Sequence, residues 1–96
     1  MDGRVEATMK KTEFYVQAEN LNRRSGVIIV EHRLWGKQTY KVEELEVIND
    51  NDRLGVCIHG CEIYLYKPEI ILYNVNENTY VVADKNVQIT IIVNNM

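Results

Sequence analysis

The sequence predicts an all-β fold: a single small antiparallel meander of six or seven strands, curled into a barrel or roll. Three observations carry this reading. Apolar and β-branched residues recur in short runs with period two, the spacing of a half-buried strand. The runs are separated by two to five residues rich in Gly, Asn and Asp, and loops that short force neighbouring strands to be antiparallel. The spacing of βαβ units and a glycine-rich phosphate loop are both missing from the sequence.

The clearest stretch is Arg53 to Lys67, R-L-G-V-C-I-H-G-C-E-I-Y-L-Y-K. His59-Gly60 fits a two-residue hairpin turn, because Gly takes positive φ freely and His visits it more readily than bulky residues do. That turn sets Ile58 opposite Cys61, Cys57 opposite Glu62 and Val56 opposite Ile63. One face then holds Val56, Ile58, Cys61, Ile63 and Leu65, and the other Gly55, Cys57, Glu62, Tyr64 and Tyr66. A slip of one residue would destroy this sorting, so the pattern specifies the register.

The remaining elements follow in order. Residues 1–11 are expected to form a flexible N-terminal arm, and residues 12–96 one domain. Residues 12–18 fit a strand through Phe14, Val16 and Ala18, or a helix through Phe14, Ala18 and Leu21; the aromatic and β-branched residues favour the strand. Asn20 to Gly26 reads as a loop, and Val27 to Leu34 as a strand ended by the turn at Gly36. Gln38 to Ile48 reads as one long strand with a β-bulge at Glu43-Glu44, which brings Tyr40, Val42, Leu45 and Val47 to one side. After the Asn49–Asp52 loop and the hairpin, Pro68 ends a strand or sits on an edge, because it cannot donate to a ladder. Ile70 to Val75, Thr79 to Ala83 and Val87 to Val93 are the last strands, turned at Asn76–Asn78 and Asp84–Asn86. In the final strand Val87, Ile89, Ile91 and Val93 point inward, and Gln88 and Thr90 outward.

Composition narrows the function. Hydrophobic residues make up 46% and charged residues 26%, an ordinary globular balance. The apolar runs are shorter than a membrane span or a signal peptide requires, which points to a cytoplasmic protein with free Cys57 and Cys61. Abundant Asn and Ile suggest an A+T-rich bacterial or phage genome. Residues 1–41 carry eight basic and five acidic groups, +3, and residues 42–96 three basic and nine acidic, −6. This split reads first as a solvated surface with chance clustering, and second as a bipolar subunit suited to head-to-tail assembly.

No enzyme or cofactor signature emerges. Cys57, His59 and Cys61 would be about 6.6 Å apart along one face of a straight strand, too far to converge on zinc. In the hairpin the two cysteines fall on opposite faces. Cys57 and His59 lack an orienting third group for nucleophilic chemistry, and Glu43, Glu44 and Glu46 read as a solvated cluster.

The aromatic residues Trp35, Tyr40, Tyr64, Tyr66, Tyr73 and Tyr80 are many for one small domain. The expected interaction surface is Tyr64, Tyr66, Trp35, Arg23, Arg24, Arg33 and Lys37. The last strand lacks charge, Pro and Gly and so must be paired: either against an earlier strand of the same chain, or, the option favoured slightly, as an edge-strand interface through Val87, Ile89, Ile91, Ile92 and Val93. The leading reading is therefore a non-enzymatic interaction or assembly module, a self-associating small barrel whose partner is protein, in a homo-oligomer. In strand count and size the chain resembles Sm-like and SH3-like barrels, without the Asp-x-Met-Asn signature of the former. That resemblance implies a nucleic-acid binder using the tyrosines and the basic half, a reading opposed by the pI near 5.3. A membrane partner is not expected.

Overall fold

The computed structural model describes residues 6–8, 14, 21–50, 52–74 and 78–94. Among these the chain forms nine strands: β1 (Glu6–Thr8), β2 (Gly26–His32), β3 (Gly36–Val42), β4 (Glu46–Asn49), β5 (Arg53–Ile58), β6 (Cys61–Tyr66), β7 (Ile70–Asn74), β8 (Thr79–Ala83) and β9 (Val87–Val93). They make two antiparallel sheets. One has six strands in the order β1-β7-β8-β9-β2-β3, and the other three in the order β4-β5-β6.

The hairpin β5–β6 has the register that the sequence specifies, with Ile58 opposite Cys61, Cys57 opposite Glu62 and Val56 opposite Ile63. His59 and Gly60 both take positive φ, 51° and 81°, as the mirror-image turns of two-residue hairpins require. Leu54, Val56, Ile58 and Leu65 are buried. Cys61 and Ile63 depart from the expected inward row: Cys61 is exposed at the hairpin tip and Ile63 is half-buried. Ile58, opposite Cys61, is still buried, and Ile63 packs against the rim of the core.

Several expectations are corrected. Among the described residues the sheets do not close into a barrel, and the strands exceed the expected number. Gln38–Ile48 is two strands in different sheets rather than one bulged strand. A bulge needs a partner that continues, but Gly26 opposite Val42 is the last pair of β2 with β3. Beyond it Leu45 exchanges backbone bonds with the loop before β2: Arg23 N–H donates to the Leu45 carbonyl at 2.9 Å, and Leu45 N–H to the Arg24 carbonyl at 2.8 Å. The Leu45 side chain is 1% exposed, so the chain crosses between sheets while keeping its apolar residue inside. Within the expected arm, Glu6–Thr8 pairs with Asn74–Leu72 as β1. The 12–18 assignment and most of the Asn76–Asn78 turn lie outside the described residues, apart from buried Phe14 and the turn residue Asn78.

Of the two expectations for β9, pairing with an earlier strand of the same chain holds and the edge interface does not. The strand is interior, paired along its whole length with β2 and on its other side with β8. Val87, Ile89, Ile91, Ile92 and Val93 therefore form no edge, because both rows of backbone groups are already spent in ladders. The inward alternation holds: Ile89, Ile91 and Val93 are buried and Gln88 is exposed.

The core lies between the sheets. Ile28, Val82, Ile89 and Ile91 from the large sheet meet Leu54 and Val56 from the small one, all 0% exposed. Fully burying such a side chain contributes roughly 1.5–3 kcal/mol. Six strands are wider than three, and Phe14 and Leu21 join the same core cluster. Phe14 packs edge-on to Tyr80 with ring centroids 6.4 Å apart.

Candidate interaction site

The β2–β3 hairpin ends in Arg33-Leu34-Trp35, positions where a sheet protein usually places polar residues. Leu34 is 77% exposed and Trp35 83% exposed. The tip is nevertheless ordered by specific contacts. Trp35 stacks on His32 with ring centroids 4.0 Å apart and planes 16° from parallel. Leu34 N–H donates to His32 Nδ1 at 3.0 Å, so the neutral ring carries its proton on Nε2. Arg33 N–H donates to the Asn86 carbonyl at 2.8 Å and ties the tip to the β8–β9 turn.

Beneath Trp35 lies a cleft of about 180 Å³, lined by Val30, His32, Trp35, Gln38, Tyr40 and Ile63. It opens between β3 and β6, each the last strand of its sheet. The Tyr40 hydroxyl bonds Gln38 Oε1, which leaves the ring as an apolar wall. Alternation along β3 turns Gln38 and Tyr40 towards the cleft and the exposed Lys37, Thr39 and Lys41 away from it. The outer backbone edge of β3 has no strand beside it among the described residues.

The other expected surface residues fall elsewhere. Tyr64 and Tyr66 lie on the outer face of the small sheet and pack edge to face at 5.4 Å. Arg53 sits 4.7 Å above the Tyr64 ring, pairs with Asp50, and approaches Glu62 at 3.7 Å. The Asp50 carboxylate, and after it Tyr64, hold the Arg53 guanidinium well above its ordinary range, and the bond to Tyr64 pushes the Tyr66 phenol up. This face is a self-satisfied network with acidic neighbours. Arg23 and Arg24 stand at the opposite end of β2 from Trp35, about 20 Å away at ~3.4 Å per residue. Arg24 donates to the Asn94 carbonyl at 3.1 Å. The fold therefore brings Arg33, Lys37 and Trp35 together and separates them from Arg23, Arg24, Tyr64 and Tyr66.

Cys57 is half-buried and Cys61 exposed, both as free thiols. The register puts them on opposite faces. Burial, and then the Glu46 carboxylate, push the Cys57 thiol up, which lowers its thiolate fraction and hence its nucleophilicity. Among the described residues no three His, Cys, Asp or Glu side chains are grouped to hold a metal ion. None of the described helical segments is long and apolar enough to cross a membrane.

Sequence reasoning missed Leu34, His32, Val30, Gln38 and Ile63 at this site. One signal was legible: Leu-Trp directly before the turning Gly36 places two large apolar residues at a hairpin apex. No known protein family, curated protein or solved structure matches the chain.

Proposed function

We propose that the protein is a non-enzymatic interaction module that takes an extended segment of a protein partner along β3. The observation that carries this reading is Trp35, 83% exposed yet held by a ring stack, above an apolar cleft beside a strand edge that is unpaired among the described residues. In strand addition, backbone hydrogen bonds give affinity and alternate side chains entering pockets give specificity. Exposed, ordered Trp is the residue type that most often anchors such contacts. The cleft volume of about 180 Å³ is small beside the roughly 300–1,000 Å³ of sites for drug-sized ligands. It suits one apolar side chain of a peptide. Arg33, Lys37 and Lys41 border the edge, which favours a segment with acidic residues around its apolar anchor.

The nucleic-acid reading has less support. Phosphate binding calls for a continuous basic face, and the basic residues here are split between the two ends of β2, while Tyr64 and Tyr66 sit among Asp50 and Glu62.

The test is selection of a random peptide display library on the wild-type protein, followed by binding to Trp35→Ala. The expected peptides share an apolar anchor, perturb the amides of Gly36–Val42 in NMR titration, and lose binding to the variant. Recovery of no peptide, or of peptides that bind Trp35→Ala equally well, overturns the proposal.

A further inference from the structure

The outer face of the six-stranded sheet, turned away from the core, is apolar at its centre. Cross-strand register places Val27, Ile92 and Thr79 in one row, and Ile29, Thr90, Val81 and Leu72 in the next. All are partly exposed. None of these seven side chains is ionisable; on β3 the first row ends in Lys41 and the second in Thr39. This is unusual for the solvent side of an antiparallel sheet, which alternates polar residues outward. Charges on this face flank that centre: exposed Glu31 on β2 beside its cross-strand partner Lys37, Lys41 on β3, and exposed Glu69 just before β7.

We infer that this face is where a second copy of the chain docks, sheet against sheet, about a two-fold axis running along β9. Three features specify the occupant. The centre of the face carries no charge for a charged partner to pair with, and the same face on a second copy is the matching surface that this chain itself provides. A two-fold axis along β9 sets Ile92 against its symmetry mate, β2 over β8, and β3 over β7. Lys37, which shares a row with Ile70, then comes over the start of β7, where Glu69 stands; the two-fold repeats this opposite-charge contact. The area is also sufficient. Five strands at ~4.8 Å spacing and about 20 Å of length project roughly 500 Å² per copy. The pair reaches about 1,000 Å², the lower bound for a specific interface, and pleating raises the accessible area above the projection. This interface lies on the opposite side of the sheet from the Trp35 cleft, so both can be occupied together.

Light scattering after size-exclusion chromatography tests the inference at several concentrations up to high micromolar. The wild type is expected at twice the 11.2 kDa chain mass, and Ile92→Lys at one chain mass with an unchanged circular dichroism spectrum. Thr90→Lys, at a site that is polar already, repeats the test if Ile92→Lys fails to fold. Glu69→Lys should weaken the dimer roughly three- to tenfold, the scale of two exposed ion pairs, and adding Lys37→Glu should restore it. Trp35→Ala should leave the mass unchanged. A wild type that runs as one chain at high micromolar concentration overturns the inference, as does a dimer that survives both lysine variants or that Trp35→Ala breaks.

Discussion

The two hairpins β5–β6 and β2–β3 start from similar sequence and end in opposite states. Each joins β-branched strands through a turn with a glycine, and each carries exposed aromatic rings. In β5–β6 the rings are tied down: Tyr64 lies against Tyr66 and under Arg53, which Asp50 and Glu62 hold in turn. In β2–β3 the Trp35 ring has one partner, His32, and a face left open over a cleft. The difference teaches that an exposed aromatic becomes a binding feature according to how far its own surroundings already satisfy it. Counting tyrosines and tryptophans along the chain does not reveal this.

The contrast can be broken most severely at Gly55. A Cβ there would come within 2.1 Å of the Ile63 carbonyl oxygen and 2.5 Å of the Tyr64 Cα, both backbone atoms that cannot swing aside. Gly55→Ala should therefore cost about 3 kcal/mol or more, above most overpacking changes, and part β5 from β6. Urea denaturation measures the loss, and a variant as stable as the wild type would show that β6 can shift freely. The root of the other hairpin should be nearly as sensitive. Ile91 stands opposite Ile28 of β2 and is 0% exposed, so Ile91→Ala should cost about 2–5 kcal/mol. Exposed Gln88→Ala should stay within about 0.5 kcal/mol, and equal losses for the two would contradict the register of β9.

The third test uses pH. Tyr80, opposite Ile91, is 6% exposed, and burial, then the neighbouring Tyr73, push its phenol up to about 12. Between the ordinary value near 10 and that value, the unfolded chain releases the phenol proton while the folded chain keeps it. Stability from this group is complete below about pH 10 and falls by about 2 kcal/mol as pH rises through 12. Tyr80→Phe should remove that part of the alkaline loss, and tyrosinate absorbance should show one late-titrating tyrosine missing. The smallest effect is expected at the tip. Trp35→Ala should change stability by about 0.5 kcal/mol or less, because the ring is mostly in water. A large loss would mean that Trp35 is structural, and the two hairpins would then be alike.

Local chemistry fixed a good deal in advance. The His59-Gly60 turn, the pairing of Val56 with Ile63, the bounds of Thr79–Ala83 and Val87–Val93 and the inward row of β9 all follow from period-two alternation and turn residues, which act over a few positions. Residue type, an aromatic ring and two basic groups, singled out Trp35, Arg33 and Lys37. What neither signal could supply was any pairing between distant segments. The neighbour of β9 is β2, some sixty residues earlier, and that pairing turns a strand that reads as a hazardous edge into the interior of a six-stranded sheet. The crossing at Glu43-Glu44 depends on where β2 begins, which lies in another segment. The cleft under Trp35 exists because β3 and β6 end their sheets side by side, and Ile63 reaches it from the far hairpin. The reason is physical: turn and strand propensities are set by near neighbours, whereas closing long loops is decided by which apolar faces can share one core, a property of the whole chain.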